Sequence, residues 1–325
     1  VRDRWQVNRN LTLNIGVRWE YYPLITRAER GIERWDPFTN LVYLGGVGNN
    51  PQNAGIEVSK GMFAPRVGIA YRLGSNTVIR SGYGMNIDPV SLARPLRALY
   101  PSVIEATFQP NNTFAPFRTL SEGIPAIPVP NVSSGVIALP STVSMGPRSL
   151  WGGKFHRGYI QSWNLTAERR LPFDLVSSVA YVGTQSTRMT GDLDINAAAP
   201  GGGQLGRPLN ATIGRRVDSL MMDGWLSSNY HSLQASLNRQ FSNGLMLKTA
   251  YTYSKAINMT DDAGWAGLSW NYAPVIGRNR ARAGYDRTHM FVGGAVYELP
   301  FGPGKALLSS CWASQLARGW QTNTM

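Results

Sequence analysis

The stretch Leu11-Thr-Leu-Asn-Ile-Gly-Val-Arg-Trp-Glu-Tyr-Tyr22 alternates between apolar and polar residues over most of its length. Ile15 and Val17 fall on one face, whereas Asn14 and Arg18 fall on the other. A period of two is typical of a β-strand that has one apolar and one wet face. The stretch therefore predicts a strand that separates two different environments.

The same alternation recurs along the chain in runs of about ten residues that are bounded by turn residues. The runs are Val67–Leu73, Ile79–Ile87, Trp163–Glu168, Leu233–Phe241, Leu247–Tyr253 and Phe291–Leu299. Val176–Val182 is a further predicted strand that is apolar on both faces, so the pattern does not orient it. Trp5–Val7 and Gly319–Thr324 are interpreted as the ends of partial hairpins. The whole pattern predicts about ten strands and an all-β fold.

The connections between these strands alternate between short and long. Short turns are predicted at 8–10, 74–76, 172–174 and 242–244, and long loops at about 23–63, 88–158, 184–228 and 256–286. Compact water-soluble domains rarely contain loops of that length without regular structure. Membrane β-barrels combine tight turns at one rim with long loops at the other.

Backbone hydrogen bonding explains why such a sheet would close. Unpaired amide and carbonyl groups cost several kcal/mol each in hydrocarbon, so strands cross a membrane only in a closed barrel. The chain is thus predicted to be an antiparallel transmembrane β-barrel segment, with short periplasmic turns and long extracellular loops. A water-soluble antiparallel sandwich or barrel shows the same alternation and remains the alternative.

Composition narrows the function classes. The chain has 325 residues, of which 43% are hydrophobic, and a formal net charge of +13. Its sequence contains no run of about 18 apolar residues, which a membrane-spanning helix needs. Its basic residues are spread over the whole length, whereas nucleic-acid interfaces cluster them. The composition excludes helical membrane proteins and argues against nucleic acid as a partner.

Metal and catalytic patterns are not found in the sequence. Cys311 is the single cysteine, which rules out an internal disulfide and a cysteine-based zinc site. The three histidines are far apart, and Asp192 and Asp194 imitate the start of a calcium loop whose closing glutamate is replaced by Gly203. We therefore predict no enzyme, no metal site and no cofactor.

Several strand motifs resemble the barrel strands of TonB-dependent outer-membrane receptors. They are Asn10-Leu-Thr-Leu-Asn-Ile-Gly-Val-Arg-Trp-Glu20, Phe63-Ala-Pro-Arg-Val-Gly-Ile-Ala-Tyr-Arg72 and Val78-Ile-Arg-Ser-Gly-Tyr-Gly84, with further stretches within 162–183, 229–255 and 287–302. The set is most similar to the Oar-like branch, whose members carry an amino-terminal carboxypeptidase-regulatory-like domain.

The resemblance implies a barrel of about 22 strands filled by a plug domain in the outer membrane of a Gram-negative bacterium. It also implies uptake of an unidentified extracellular ligand, coupled through the plug to TonB, ExbB and ExbD, with outer-membrane lipid and lipopolysaccharide as partners. The plug, the signal peptide and the carboxyl-terminal strands are not visible in the sequence. Residues 1–325 are therefore interpreted as a partial barrel domain. A passive porin-like channel and a soluble β-rich carbohydrate-binding protein are the alternative functions.

Charged residues on the predicted polar face form the first set of candidate site residues. We expect neighbouring strands to pair them across the barrel wall. The pairs would either hold the plug as a structural network or favour the passage of an anionic ligand. The set is Arg18, Glu20, Arg66, Arg72, Arg80, Glu168, Arg170 and Lys248.

Aromatic residues in the predicted long loops form the second set. Exposed aromatic rings stack on sugars or grip apolar groups, so they are candidates for ligand contact at the extracellular side. They could instead pack the loops against one another. The set is Trp35, Tyr43, Trp151, Trp225, Trp265 and Trp270.

Overall fold

The computed structural model describes residues 2–89, 100–104, 108, 114–140, 143, 148–261, 268–309 and 312–324. Its strands are β1 (Arg2–Gln6), β2 (Leu11–Trp19), β3 (Glu33–Asp36), β4 (Leu41–Leu44), β5 (Ile56–Val58), β6 (Phe63–Leu73), β7 (Thr77–Ile87), β8 (Val136–Ala138), β9 (Arg148–Leu150), β10 (Gly153–Phe155), β11 (Tyr159–Arg170), β12 (Leu175–Asp194), β13 (Leu220–Ser242), β14 (Leu245–Asn258), β15 (Ala281–Arg282), β16 (His289–Glu298) and β17 (Gln321–Thr324). The helices are α1 (Pro208–Ile213) and α2 (Ala313–Ala317), and Leu120–Glu122 and Ala273–Asn279 are 3-10 helices.

The main sheet is an antiparallel meander in the order β1-β2-β6-β7-β11-β12-β13-β14-β16-β17. Each strand between β1 and β17 on this path pairs with the one before it and the one after it. The predicted all-β fold of about ten antiparallel strands is thereby confirmed. Within the described residues, β1 and β17 have one neighbour each, so the sheet is open at both edges.

One side of the main sheet, which we call the apolar face, exposes large hydrophobic side chains. Residues that lie directly opposite in register share a face, as Ile15 and Val67 do on β2 and β6. Val67 on this face is 41% exposed. The exposed members of the apolar face are Ile15, Trp19, Phe63, Val67, Ile69, Tyr71, Leu165, Val179, Tyr181, Leu233, Tyr251, Tyr253 and Phe291. An exposed apolar surface of this extent is not stable in water.

The opposite side, which we call the polar face, carries most of the charged and amide side chains of the strands. Its polar members on the central strands are Asn14, Arg18, Arg66, Arg72, Arg80, Asn86, Asn164, Glu168, Arg170, Gln234, Asn238 and Lys248. Alternation along each strand therefore separates an apolar from a polar surface, as the sequence predicts.

The short connections lie together at one end of the sheet, the turn end. In the β13–β14 hairpin the two central residues, Asn243 and Gly244, have φ angles of 49° and 78°. A two-residue turn with positive φ at both positions matches the right-handed twist of the flanking strands, and Asn-Gly suits it. The connection from β16 to β17 is longer and contains α2.

The long connections lie at the opposite end, the loop end. Here β12 and β13 extend as an arm to Asp194 and Leu220, so the connection spans 195–219 rather than the predicted 184–228. Register shifts between Ser186 and Met189 and between Met189 and Gly191 interrupt the pairing. These bulges break the period of two, which is why alternation did not predict the arm.

Buried side chains concentrate at the loop end instead of along the sheet. Short strands in the connections form a three-stranded sheet in the order β3-β4-β8 and a parallel pair of β5 and β10. The long loops therefore have regular structure of their own. In the described part of the chain, no helix is long and apolar enough to cross a membrane.

Candidate functional site

The connections at the loop end fold into a compact layer, the loop cap, formed by β3, β4, β5, β8, β9, β10 and the turns between them. Its first buried cluster is Trp35, Val42, Leu44, Tyr100, Leu139, Val143 and Met221, and its second is Ile32, Ala54, Ile56, Leu150, Phe155 and Met222. Met221 and Met222 belong to β13, and β9 pairs with the same part of β13. The loop cap is therefore packed on the loop end of the main sheet.

Trp35 lies at the centre of the loop cap and has 0% of its surface exposed. Its backbone N–H donates to Ser149 Oγ at 2.9 Å, and its indole N–H donates to Asn40 Oδ1 at 3.2 Å. A side chain with no exposed surface cannot stack on a ligand in this conformation. Trp35 therefore packs the loops against one another.

Tyr43 and Trp151 are partly buried in the same layer. The guanidinium of Arg34 lies 4.4 Å from the centre of the Tyr43 ring. The Trp151 ring lies 6.2 Å from that of Phe38, and it packs against the first buried cluster. Both rings thus contact other protein groups and remain partly exposed to solvent.

The remaining aromatic candidates lie closer to the arm and the β14–β16 connection. Trp225 is partly buried, and its indole N–H donates to Met221 O at 3.2 Å. Trp270 is 46% exposed, with the Arg278 guanidinium 5.3 Å from its ring centre. Trp265 lies outside the described residues. Trp270 therefore offers a ligand the largest surface among the described members of the set.

A buried carboxylate organises the start of the loop cap. Glu33 is 2% exposed and forms ion pairs with Arg27 and, at 3.1 Å, with Arg30. Ser102 donates a hydrogen bond to the same carboxylate. The two guanidinium groups compensate the burial of one negative charge, which would otherwise be strongly destabilising.

Arg157, which precedes β11, forms hydrogen bonds to the connections that follow β2 and β7, close to where they leave the sheet. Its guanidinium donates to Tyr22 O at 2.7 Å, to Pro23 O at 3.3 Å and to Pro89 O at 2.6 Å. Arg157 is 6% exposed, and burial lowers the pKa of its guanidinium, an effect that the nearby Asp88 opposes. No local sequence pattern predicts a role for Arg157, because its partners lie far away in the chain.

A cleft with a volume of about 640 Å³ lies between the loop cap and the loop end of β2. Its lining includes Lys60, Lys154, Gln52 and Asn53, together with the ring of Tyr21. Small-molecule sites in proteins have volumes of about 300 to 1,000 Å³. The cleft has the size of a ligand site, and its two lysines outnumber the one carboxylate of its lining, Glu57.

The charged set on the polar face is brought together only in part. Arg18 forms an ion pair with Glu20 on its own strand segment. Arg18 Nη2 and Arg66 Nη2 both donate to Asn86 Oδ1, at 3.1 and 3.0 Å. Two cationic groups on β2 and β6 thus converge on one neutral oxygen of β7, which the sequence analysis did not single out.

The expected pairing of opposite charges across neighbouring strands is not found in the described part of the chain. In register, Arg80 lies opposite Thr166 and Glu168 lies opposite Val78. Lys248 lies opposite Asn238. The other members are Arg72 and Arg170, both on the polar face near the turn end. The polar face therefore keeps an excess of positive charge.

The acidic residues of the arm are engaged by internal donors. Asp194 Oδ1 accepts from the backbone N–H groups of Asn196 at 2.9 Å and Ser219 at 2.8 Å, and Oδ2 lies 3.3 Å from Arg207. Asp192 pairs with Arg148 at 2.8 Å. Among the described residues, no group of three or more His, Cys, Asp and Glu side chains is arranged to hold a metal ion.

The whole chain, residues 1–325, matches the family described as "Outer membrane beta barrel domain". Among solved structures it is similar to the ferripyoverdine receptor of Pseudomonas aeruginosa, with 12% identity and a TM-score of 0.38 over 91% of this chain and 25% of that chain. No curated protein matches the chain at a significant level.

Two further solved structures show a similar extent of likeness. The alcaligin outer-membrane receptor FauA of Bordetella pertussis has 11% identity and a TM-score of 0.38 over 91% of this chain and 33% of that chain. The ferric-catecholate import receptor Fiu of Escherichia coli K12 has 11% identity and a TM-score of 0.41 over 91% of this chain and 31% of that chain. The chain thus spans between a quarter and a third of the length of these structures.

Proposed function

Because the chain belongs to the outer membrane β-barrel domain family, we propose that it forms part of the wall of a TonB-dependent receptor of the Oar-like branch. The receptor would import a ligand captured at the extracellular side. Membership of the family makes the chain an outer-membrane protein. The alternative of a water-soluble carbohydrate-binding protein is therefore wrong.

The loop cap is the observation that supports a gated receptor over an open pore. Residues of the polar face near the loop end are buried: Ala64 is 0% exposed, Ser232 3% and Ser254 6%. Strand alternation turns the apolar face to lipid and the polar face to the barrel lumen. We infer that the folded loops cover the extracellular end of the lumen wall, whereas a passive porin needs a continuous water-filled path.

Positive charge on the ligand path favours an anionic ligand. Lys60 and Lys154 line the cleft beside the loop cap, and Arg18 and Arg66 converge in the lumen wall. An excess of cations on a concave surface raises the local concentration of anions. In this proposal Trp270 is the first candidate for ligand contact because its ring is 46% exposed, and ligand contact by the other loop aromatics stays a prediction. The charged set in the lumen would also hold the plug.

The proposed domain organisation follows from the open edges of the sheet. An unpaired strand edge in hydrocarbon leaves backbone groups unsatisfied, so β1 and β17 need further strands beside them. Ten strands then form part of a larger barrel, of about 22 strands in receptors with a plug. The 1–325 segment would be its partial barrel domain. Coupling to TonB, ExbB and ExbD would pass through the plug.

The test uses the full-length protein that contains this segment, purified in detergent. We expect the purified periplasmic domain of TonB from the same organism to bind it saturably. We also expect no steady conductance when the protein is inserted into a planar lipid bilayer, because the plug and loop cap close the lumen. A protein that conducts like an open pore and does not bind TonB would overturn the proposal in favour of a passive channel.

A further inference from the structure

The connection between β12 and β13, residues 195–219, forms the tip of the arm, which we call the arm tip. It carries three arginines, Arg207, Arg215 and Arg216. Arg215 is 1% exposed, whereas its neighbour Arg216 is exposed. Two adjacent residues of the same type thus lie in opposite environments, and Arg215 carries its charge into the interior.

Asn196 fixes the backbone around Arg215. Asn196 is 0% exposed, and its Nδ2 donates to Arg215 O at 3.0 Å and to Val217 O at 2.8 Å. Its Oδ1 accepts from Leu209 N at 2.8 Å. Arg215 N in turn donates to Leu209 O at 3.1 Å. The backbone at Arg215 is therefore anchored inside the arm tip.

The guanidinium of Arg215 reaches from the arm tip to the loop cap. Its Nη2 donates to Pro140 O at 3.0 Å, across 75 residues of sequence. Leu139, which precedes Pro140, is a member of the first buried cluster, and Leu209 and Ile213 of the arm tip pack against the same cluster. The guanidinium therefore lies at the junction of the two layers, beside apolar side chains.

Two of the three guanidinium nitrogens of Arg215 are not satisfied at this junction. Nε and Nη1 are both buried, and within the described ranges neither has a hydrogen-bond partner. Most buried polar groups in native proteins are hydrogen-bonded, because a buried donor without an acceptor destabilises the folded state. The penalty is larger for a charged group. The two nitrogens thus require an acceptor from elsewhere.

The carboxylates near the arm tip do not neutralise Arg215. Asp194 and Asp218 both pair with Arg207, at 3.3 and 2.6 Å. Among the residues that the structure describes, no carboxylate lies within ion-pair distance of Arg215. The three arginines of the arm tip therefore outnumber the two nearby aspartates, and the excess charge that is buried belongs to Arg215.

Titration of neighbouring groups does not remove this charge. Burial lowers the pKa of the Arg215 guanidinium, and in the described part of the chain no acidic group opposes the effect as Asp88 does for Arg157. An arginine nevertheless keeps its proton in proteins. Burial raises the pKa of the Tyr100 hydroxyl, so this member of the first buried cluster stays neutral. One positive charge is thus buried without a counter-charge from the described residues.

We propose that Arg215 binds a chloride ion at the junction between the arm tip and the loop cap. The single excess positive charge matches a monovalent anion, and a side chain that is 1% exposed suits a small ion that is enclosed by the protein. A monatomic anion accepts hydrogen bonds from any direction. Phosphate and sulfate carry more charge and more oxygen atoms than the free nitrogens of one guanidinium satisfy.

The bound chloride would stabilise the contact between the arm tip and the loop cap. It would supply the missing acceptor and the missing negative charge at the point where Arg215 donates to Pro140 O. Burial of a paired charge is far less unfavourable than burial of an isolated one. This structural role goes beyond the proposed import function and does not depend on it.

The first test measures hydrogen exchange of the Leu209 and Ser219 amides, which donate to Asn196 Oδ1 and Asp194 Oδ1 in the full-length protein. Sodium chloride is compared with sodium isethionate at equal ionic strength, so that screening is constant. We expect roughly tenfold slower exchange in chloride, the change that follows when chloride exceeds its dissociation constant about tenfold.

Two variants separate the buried arginine from the exposed one. R215M keeps a long side chain without charge, so exchange of its arm-tip amides should be equal in the two salts. R216M is the matched control, because Arg216 is the exposed neighbour, and it should keep the chloride dependence of the parent protein. Equal exchange in the two salts in the parent protein would overturn the proposal. Loss of the dependence in R216M as complete as in R215M would also overturn it, because the effect would then belong to the general charge of the arm tip.

The second test locates the ion with bromide, which replaces chloride and scatters X-rays anomalously. In crystals of the full-length protein grown in sodium bromide, we expect an anomalous peak in contact with Nε or Nη1 of Arg215. A water molecule at that place would overturn the proposal. Bromide at exposed arginines such as Arg216 and not at Arg215 would be an adventitious ion only, and would overturn it as well.

The bromide measurement on the parent protein decides the question even where R215M does not fold, which heat-modifiable migration in gels shows. TonB binding by R215M is expected to equal that of the parent protein. Failure of the chloride proposal is therefore distinguishable from failure of the proposed function.

Discussion

Trp163 on β11 lies over Gly183 on β12, so closely that a Cβ atom at position 183 would lie 2.4 Å from Trp163 Cε2. The two residues are opposite each other in register. The ring also lies 6.1 Å from that of His231 on β13. One indole therefore spans three strands at the level of the aromatic pairs, and the absence of a side chain at position 183 makes room for it.

Replacing Gly183 with alanine should displace this ring and destabilise the barrel. Inserting a methyl group into a packed contact costs about 1 to 3 kcal/mol. We expect the variant of the full-length protein to lose its heat-modifiable folded form at a lower temperature than the parent. The control is G84A, since a Cβ atom at position 84 has its nearest neighbour, Arg66 Cγ, at 3.8 Å.

The same clash predicts a rescue. Trp163→Val removes the ring, so G183A added to that variant should cost less than G183A alone. Additive effects of the two substitutions in this double-mutant cycle would show that the methyl group acts elsewhere.

Trp35 and Trp270 should respond in opposite ways to truncation. W35A removes a fully buried ring, which typically costs about 3 to 5 kcal/mol, so we expect the loop cap to become sensitive to protease in intact cells. W270A should leave the protease pattern unchanged, because Trp270 is 46% exposed. A loss of protection in W270A equal to that in W35A would contradict this separation of a packing residue from a surface residue.

Neutralising Arg66 and Arg80 tests the charge preference of the lumen. In cells that express the full-length R66A/R80A protein, we expect weaker uptake of acidic substrates and unchanged uptake of neutral ones, measured with an acidic and a neutral oligosaccharide of equal length. Loss of both uptakes would instead indicate that the arginines support the structure of the wall.

Asn86→Asp probes the same region with the opposite effect on stability. A carboxylate at the oxygen that now accepts from Arg18 and Arg66 would form two charge-assisted hydrogen bonds, and we expect a gain of about 1 kcal/mol in unfolding free energy. N164D on the same face is the control, because among the described residues the Asn164 side chain accepts no arginine hydrogen bond. Equal stabilities of the two variants would argue against the convergence of the two arginines.

Asp261 should make the β14–β16 connection sensitive to acid. Hydrogen bonds from Asn258 and from the backbone of Gly284 hold the pKa of this exposed carboxyl below its ordinary value of 3.8. A carboxyl with a lowered folded pKa stabilises the fold above its unfolded pKa, and the contribution is lost as the pH falls through the lowered value.

The measurement is the hydrogen-exchange protection of the Gly284 amide between about pH 6 and about pH 3, corrected for the intrinsic exchange rate. Protection should fall at the acidic end in the parent protein. D261N keeps an oxygen acceptor but cannot titrate, so its protection should not depend on pH in this range. The same acid dependence in D261N would assign the effect to another group.

Local patterns were sufficient to predict the strands of the main sheet. In Leu11–Trp19 and Phe63–Leu73 each side chain faces either lipid or the lumen. Apolar and polar residue types therefore alternate with a period of two. Short turns such as Asn243-Gly244 depend on the backbone preferences of two residues, which are also local. The fold class follows from these repeated local signals, whereas the outer-membrane location rests on the family to which the chain belongs.

The loop end depended on contacts between distant residues. Trp35 is buried by Met221 and Leu139, and Arg157 binds carbonyl groups that follow β2 and β7. Outside a regular alternating pattern, a buried tryptophan and an exposed tryptophan look the same in the sequence. The sequence therefore could not separate Trp35 from Trp270.

The positions of the charged residues also depend partly on the local pattern and partly on the tertiary structure. Alternation assigns Arg66 and Arg80 to the lumen, because the face of a strand residue is set by its parity. The convergence of Arg18 and Arg66 on Asn86 depends on the register between strands. The register is fixed only when whole strands pair with one another. Side chains that are distant in the sequence therefore come together as a site only in the tertiary structure.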